Sequence, residues 1–149
     1  MDLQTIEREH LIRGVPPRAV YDVVTDYPRY PHLFSEMTSA RVLGYEGDKK
    51  RVEFRAKVVV EVRYVIDIVH DEEKLQTSWS YVEGEVVTDS KGGWTFEPEG
   101  DSTRIKYRAG LAVNAPLPKF VVNKVANALM AHSIPNMFKA LEREVRSRR

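Results

Sequence analysis

Two periods divide this chain. From about Glu36 to Asn114 the apolar residues recur at every second position, whereas after Pro118 they recur at helical spacing. Val52, Phe54, Ala56, Val58 and Val60 alternate with Arg51, Glu53, Arg55 and Lys57, so one face of this strand is apolar and the other is wet. Arg63 to Val69 runs back beside it. Leu75, Thr77, Trp79 and Tyr81 share a parity, as do Trp94 and Phe96, and as do Ile105, Tyr107, Ala109, Leu111 and Val113. Each set turns an aromatic or aliphatic row to one side of its strand. Turn signals at Gly47-Asp48-Lys49-Lys50, Asp71-Glu72-Glu73-Lys74, Gly92-Gly93 and Pro98-Glu99-Gly100-Asp101 divide the region into successive hairpins.

Helices flank this meander. Pro16 and Pro17 sit where a first helical turn tolerates missing N–H groups, and Ala19, Val20, Val23 and Val24 give the following helix an apolar face. Pro28 and Pro31 stop it and fix a short second helix, in the position of a lid. At the other end Val121, Val122, Val125, Leu129, Met137, Leu141 and Val145 form one stripe, which predicts a single helix from about Leu117 to Val145. At ~1.5 Å per residue it spans roughly 40 Å, enough to cross a curved sheet. Pro135 removes a backbone hydrogen bond, so a kink or a break into two helices is expected there. The order of strand, two short helices, about six further antiparallel strands and a long helix predicts an α+β fold, a bent sheet of about seven strands gripping the terminal helix and enclosing space.

Composition narrows the setting. The 149 residues suit one domain, here taken as 1–149, able to bury about 68–70% of its unfolded surface. With 42% hydrophobic and 30% charged residues the chain reads as soluble and globular, and 23 basic against 22 acidic residues give a net charge of only +1, so no nucleic-acid partner is expected. The absence of cysteine excludes disulfides, thiol nucleophiles and thiolate metal sites. The first residues are too charged for a secretory signal, and apolar runs fall short of the ~20 residues of a membrane span, so a cytoplasmic location is expected.

Candidate chemistry is sparse. His10, His32 and His70 show no metal-ligand spacing, so no metal is expected, and no cofactor motif appears. His132 falls three residues after Leu129 on the helical stripe, where it reads either as a polar contact for a ligand or as a boundary histidine. Glu61 and Asp67 interrupt valine-rich strands, but their parity puts them on the wet face beside arginines rather than in a catalytic pair. No Gly-x-Ser-x-Gly elbow, P-loop or Gly-x-Gly-x-x-Gly is present. Trp79, Tyr81, Trp94, Phe96 and Tyr107, and with them Tyr64, read either as core or as the walls of a cavity. Arg143, Arg146, Arg148 and Arg149 complement the negative end of the last helix.

Val20-Tyr21-Asp22-Val23-Val24, Asp26-Tyr27-Pro28-Arg29-Tyr30-Pro31, Gly84 placed after the fifth strand, Gly93-Trp94-Thr95-Phe96-Glu97-Pro98 and Thr103-Arg104-Ile105 together resemble the START-like superfamily of helix-grip proteins over nearly the whole chain. The likeness is to its polyketide cyclase/dehydrase and lipid transport branch, close to the coenzyme Q-binding proteins. Where the coenzyme Q branch typically carries Trp-Cys after the second proline, this chain has His32-Leu33-Phe34-Ser35. The resemblance implies a hydrophobic cavity between sheet and terminal helix, holding a lipid, quinone or polyketide-like molecule. Its expected walls are Val58, Tyr64, Trp79, Tyr81, Trp94, Phe96, Tyr107, Leu111, Val125, Leu129 and His132, and its expected gate is Tyr27, Tyr30, Leu33 and Phe34.

Three functions follow as expectations. The first is binding and transport of a hydrophobic small molecule, without catalytic residues, delivered to a membrane or enzyme partner. The second is a polyketide aromatase/cyclase in which Tyr64, Tyr107 or His132 assists enolisation or dehydration. The third is a regulator of the ribosome-associated toxin kind, acting through its surface. The near-neutral charge weighs against strong RNA binding.

Overall fold

The computed structural model describes residues 3–58, 60–113, 118–127 and 134–149. Seven antiparallel strands follow the period-two region: β1 Gln4–Ile12, β2 Met37–Glu46, β3 Lys49–Val58, β4 Val60–Asp71, β5 Gln76–Glu85, β6 Val87–Glu99 and β7 Ser102–Val113. They form one curved sheet in the order β1-β7-β6-β5-β4-β3-β2, so only β1 leaves chain order to pair with β7. Between β1 and β2 lie α1 (Pro17–Val24), a 3-10 turn (Tyr27–Arg29) and α2 (Tyr30–Leu33). After β7 come α3 (Lys119–Asn127) and α4 (Ile134–Ser147). This is the helix-grip arrangement.

Three details differ from the sequence expectation. Gly92-Gly93 is no turn and lies inside β6. Trp79 stands opposite Gly92 across β5 and β6, and a Cβ at Gly92 would meet the indole at 2.5 and 2.7 Å, while one at Gly93 would meet the Thr77 carbonyl at 2.5 Å. These glycines therefore serve close approach, and the chain reverses earlier, at Val86, with φ of 75°. Gly84 accordingly lies within β5 rather than after it. Val60 opens β4 and faces Val58, so the apolar row of β3 ends one residue pair sooner. The terminal helical region, expected from Leu117 to Val145 as one kinked helix or two, comprises α3 and α4, with α4 reaching Ser147 and positions 117 and 128–133 lying outside the described residues.

The inward parity of the strands explains the core. Phe138, Leu141 and Val145 of α4 pack with Val20, Val23 and Val24 of α1 onto Ile12, Trp94, Phe96 and Ile105. Val121 and Val122 of α3 cover Val62, Val87, Leu111 and Val113. Tyr27 and Tyr30 lie on Val52, Phe54, Ile66 and Ile68. On the outer face Arg51 grips Asp67 with bonds of 2.8 and 3.0 Å, Arg55 reaches Glu61 at 3.4 Å, and Arg63 bonds both Glu53 and Glu83. Hydrogen bonding from Arg51 holds the Asp67 carboxyl below its ordinary range. Both Glu61 and Asp67 thus lie outside the concavity, as their parity requires.

Replacing Gly92 with alanine should drive the new Cβ into the Arg108 carbonyl of β7 as well as into the Trp79 indole. We expect a loss of about 1–3 kcal/mol in urea unfolding, the usual cost of overpacking a close-fitting site. A variant as stable as the parent would show that the close approach is not needed.

Candidate functional site

A cavity of about 420 Å³ lies between the inner face of β3 to β7, the α1–β2 connection and α4. Its walls are mostly apolar: Phe54, Ala56, Ile66 and Ile68 on one side, Trp79, Trp94, Ala109 and Leu111 on the other, with Met137 and Ala140 of α4 above. The aromatic rings form a chain of contacts around it. Tyr30 stacks on Phe54 at 5.5 Å, Phe54 meets Tyr64 at 5.5 Å, and Tyr107 meets Trp94 at 4.6 Å and Trp79 at 6.1 Å. Rings brace one another at such distances, which keeps a void open without backbone beneath it.

The exposed lining residues mark the mouth. Ser35, Asn136, Lys139 and Arg143 are exposed, with Glu36 partly so, and all lie at the α2–β2 junction or on α4. The interior polar groups are few. Trp79 Nε1 donates to Ser90 Oγ at 3.0 Å, and Thr77 is buried. Tyr64 and Tyr107 bring phenols. Burial pushes the Tyr64 hydroxyl up to about 12, and burial with the neighbouring Tyr64 pushes that of Tyr107 higher still. Both are therefore neutral hydrogen-bond donors at ordinary pH and poor bases.

Of the residues anticipated as walls, Tyr64, Trp79, Trp94, Tyr107 and Leu111 line this cavity. Two lie off it. Phe96 stacks behind Trp94 at 6.0 Å in the α1 and α4 core, because it sits two residues further toward the sheet end that α1 covers. Tyr81 turns toward the splayed ends of β5 and β6, where its hydroxyl donates to the Val87 carbonyl at 2.9 Å, and a register shift between Val65 and Ile66 displaces its strand. The side chains of Val58 and Val125, and residues Leu129 and His132, lie outside the described residues. Sequence reasoning missed Ser90, because the turn placed at Gly92-Gly93 cut β6 short of it. It also missed Lys139, and it placed Arg143 with the cations at the helix end rather than at the cavity.

The four gate residues all line the cavity, but they divide in two. Tyr27 and Tyr30 are buried and fastened: the Tyr30 hydroxyl donates to the Val24 carbonyl, and the Tyr27 hydroxyl lies 2.7 Å from His70 Nε2. His70 Nδ1 faces the Asp48 carbonyl at 2.9 Å, so Nδ1 carries the proton and Nε2 accepts from Tyr27. Leu33 and Phe34 are only partly buried and stand at the mouth. Ion pairs tie this segment to α4, Arg29 to Glu144 at 3.3 Å and Arg148 to Asp26 at 2.8 Å.

Among the described residues no group of His, Cys, Asp and Glu side chains could hold a metal, and no helix is long and apolar enough to cross a membrane.

Residues 14–138 match the family described as polyketide cyclase / dehydrase and lipid transport, and the chain belongs to that family. It is 34% identical over 104 residues to the granaticin polyketide synthase bifunctional cyclase/dehydratase of Streptomyces violaceoruber, a match covering 65% of this chain and only 31% of that longer protein. Among solved structures it is similar to TTHA0849 of Thermus thermophilus, with a TM-score of 0.84 and 26% identity over 97% of this chain and 98% of the other. A Streptomyces aromatase/cyclase, ZhuI, superposes with a TM-score of 0.84 at 14% identity, covering 99% and 96% of the two chains. A START superfamily protein of Mycobacterium smegmatis gives 0.78 at 17%, covering 97% and 99%. The last two likenesses are of fold alone.

The Tyr27–His70 pair has a pH signature. Burial lowers the pKa of His70, against a smaller opposing effect of the Asp48 carbonyl, so folding favours the neutral ring. A depressed histidine contributes stability above its unfolded pKa of ~6.5, lost as pH falls through the folded value. Urea unfolding should therefore show stability declining as pH drops from about 7.5 toward about 5.5, and His70→Gln should flatten that decline. An unchanged slope in the variant would assign it elsewhere.

Proposed function

For this member of the family we propose that the cavity takes up a hydrophobic small molecule with aromatic or polyene-like character, a lipid, quinone or polyketide-like compound, and that residues 1–149 act as one ligand-binding domain. The observation that carries this reading is the braced aromatic cavity of about 420 Å³, whose Trp79 indole already has its own partner in Ser90. Each CH₂ buried there supplies ~0.8 kcal/mol, so a ligand needs little polar recognition. Tyr27 and Tyr30 serve as the fixed frame of the entrance, and Leu33 and Phe34 as its movable edge. Placement in the cytoplasm, and delivery to a membrane or enzyme, belong to the same reading.

A second reading is that the bound molecule is also transformed, as a polyketide cyclase or dehydratase would do. The Tyr64 and Tyr107 phenols favour it, since they converge on the cavity as neutral donors able to polarise a carbonyl oxygen. Similarity to a bifunctional cyclase/dehydratase lends it support.

The only two tryptophans both line the cavity, so their emission reports occupancy. Titration with long-chain lipids, quinones and polyphenolic polyketide analogues should change the emission with saturable affinity. In a Tyr64→Phe/Tyr107→Phe double variant a carrier keeps that affinity within a few fold, whereas a cyclase keeps binding but loses turnover of a linear poly-β-carbonyl substrate by about 10²-fold or more. Unchanged emission with every ligand would refute both readings.

Phe34 tests the movable edge separately. Phe34→Ala should speed dissociation of a fluorescent lipid in stopped-flow more than it lowers folding stability, because a fully packed phenylalanine would cost roughly 3–5 kcal/mol on the same truncation. A large stability loss with an unchanged release rate would place Phe34 in the core instead.

A further inference from the structure

The charges on α4 are sorted by face. Glu142 pairs with His10 at 3.3 Å and Arg146 at 3.7 Å, and Glu144 pairs with Arg29 at 3.3 Å and Arg148 at 3.0 Å, all away from the cavity. The two basic residues that do line the cavity, Lys139 and Arg143, enter no ion pair among the described residues. They stand four positions apart, one above the other on a single helix face, about 6 Å along the axis. Both are exposed at the mouth, and Glu36 is the one acidic lining residue. Deeper in, the lining turns apolar and aromatic within a few residues, at Met137 and Ala140 on the same helix and at Tyr107 and Trp94 on the sheet.

Helix surfaces normally satisfy such cations with carboxylates at three or four positions' distance, and this helix does so on its other faces. On the cavity face that supply is missing: Glu142, three positions after Lys139, is taken by His10 and Arg146, and positions 136, 140 and 147 are Asn, Ala and Ser. An apolar hole whose rim carries two cations against the single carboxylate of Glu36 fits an elongated amphiphile that buries its body and leaves an anionic end at the opening. We propose that the ligand carries a terminal carboxylate or phosphate, and that Lys139 and Arg143 hold this group at the mouth. This deepens the proposed occupancy of the cavity and rests on it. Arg143 offers a planar fork for two oxygens of the anion, and Lys139 a mobile point charge. The geometry also fixes orientation: the anionic end stays near solvent, and the end remote from it lies against Tyr64 and Tyr107.

Matched twelve-carbon compounds test this by calorimetry with the intact chain, below their micelle concentrations: dodecanol, laurate, dodecyl phosphate and dodecyltrimethylammonium. Each exposed ion pair contributes at most about a factor of five, so laurate or dodecyl phosphate should bind roughly three- to thirtyfold more tightly than dodecanol at low salt. Dodecyltrimethylammonium should bind least. The gain should shrink in about 0.5 M sodium chloride and vanish in Lys139→Gln/Arg143→Gln, where the anions bind no more tightly than dodecanol does to the same variant. A gain confined to dodecyl phosphate identifies the source as a phosphate-bearing headgroup or carrier arm, and one shared by laurate identifies a simple anionic end. Equal binding of dodecanol and both anions, or a gain that survives in the double variant, overturns this inference and leaves cavity binding standing. If none of the four binds, this inference fails, and cavity binding is decided separately by the tryptophan titration with quinones and polyphenolic polyketide analogues.

Discussion

The structure turns on a mismatch of area. Seven strands bend into a sheet whose inner face carries apolar side chains along nearly its whole width, yet α4 presses Phe138, Leu141 and Val145, with Met137 beside them, into it at the end shared with α1. At the other end Tyr27 and Tyr30 take over as cover. Ion pairs fix the helix at the rim, Glu144 to Arg29 and Arg148 to Asp26. Burial works against a charge on Glu144, but hydrogen bonds from the two arginines prevail and hold its carboxyl below the usual range. The clamp thus stays ionised and fixed through ordinary pH. What the helix leaves uncovered becomes the cavity.

A void of this kind collapses unless its lining is stiff. Aromatic side chains supply that stiffness, since each has only two rotatable bonds and meets its neighbours through rings rather than through flexible tails. Polar atoms in the wall would draw water or demand partners, and here the protein provides several itself: Ser90 for Trp79, the Val24 carbonyl for Tyr30, His70 for Tyr27. Gly92 completes the arrangement by letting the Trp79 indole lie flat against the neighbouring strand instead of filling the hole. One glycine without a side chain and one ring in its place preserve the volume a larger residue would have occupied.

Alternation made the sheet legible, because Val52, Phe54 and Ala56 alternate with Arg51, Glu53, Arg55 and Lys57, and Ile105 and Tyr107 with Arg104, Lys106 and Arg108, the trace a half-buried strand leaves directly. The short helices between β1 and β2 were legible through their prolines. Gly92-Gly93 misled, since paired glycines at a turn and paired glycines at a close approach look alike until the residue opposite is known, and Trp79 lies 13 positions earlier. That misplacement hid Ser90. Trp94 and Phe96 share a parity, yet the first lines the cavity and the second lies in the core, because parity selects a face and says nothing of position along it. Tyr27 and His70 lie 43 residues apart, a pairing made by topology alone. Phe138 falls outside a stripe drawn from aliphatic residues, and it stacks on His10 of β1 at 4.9 Å.

The ionisable groups of the site constrain any chemistry it performs. A general base works best with a pKa near the working pH, and burial moves Tyr64 and Tyr107 the opposite way, toward a proton held more tightly. His70 stays neutral but commits its accepting nitrogen to Tyr27. The cavity can therefore donate hydrogen bonds to a carbonyl, and its one lining carboxylate among the described residues, Glu36, stands at the mouth rather than beside the phenols. For a carrier that is an advantage, since a ligand with acidic C–H bonds passes through unaltered. For an enzyme it means that rate must come from folding a flexible chain into one reactive shape and stabilising charge on its oxygens, with the proton leaving to water or to a neighbouring group of the substrate itself. Both outcomes grow from the same wall of rings, and they differ only in how far the bound molecule's own reactivity carries it.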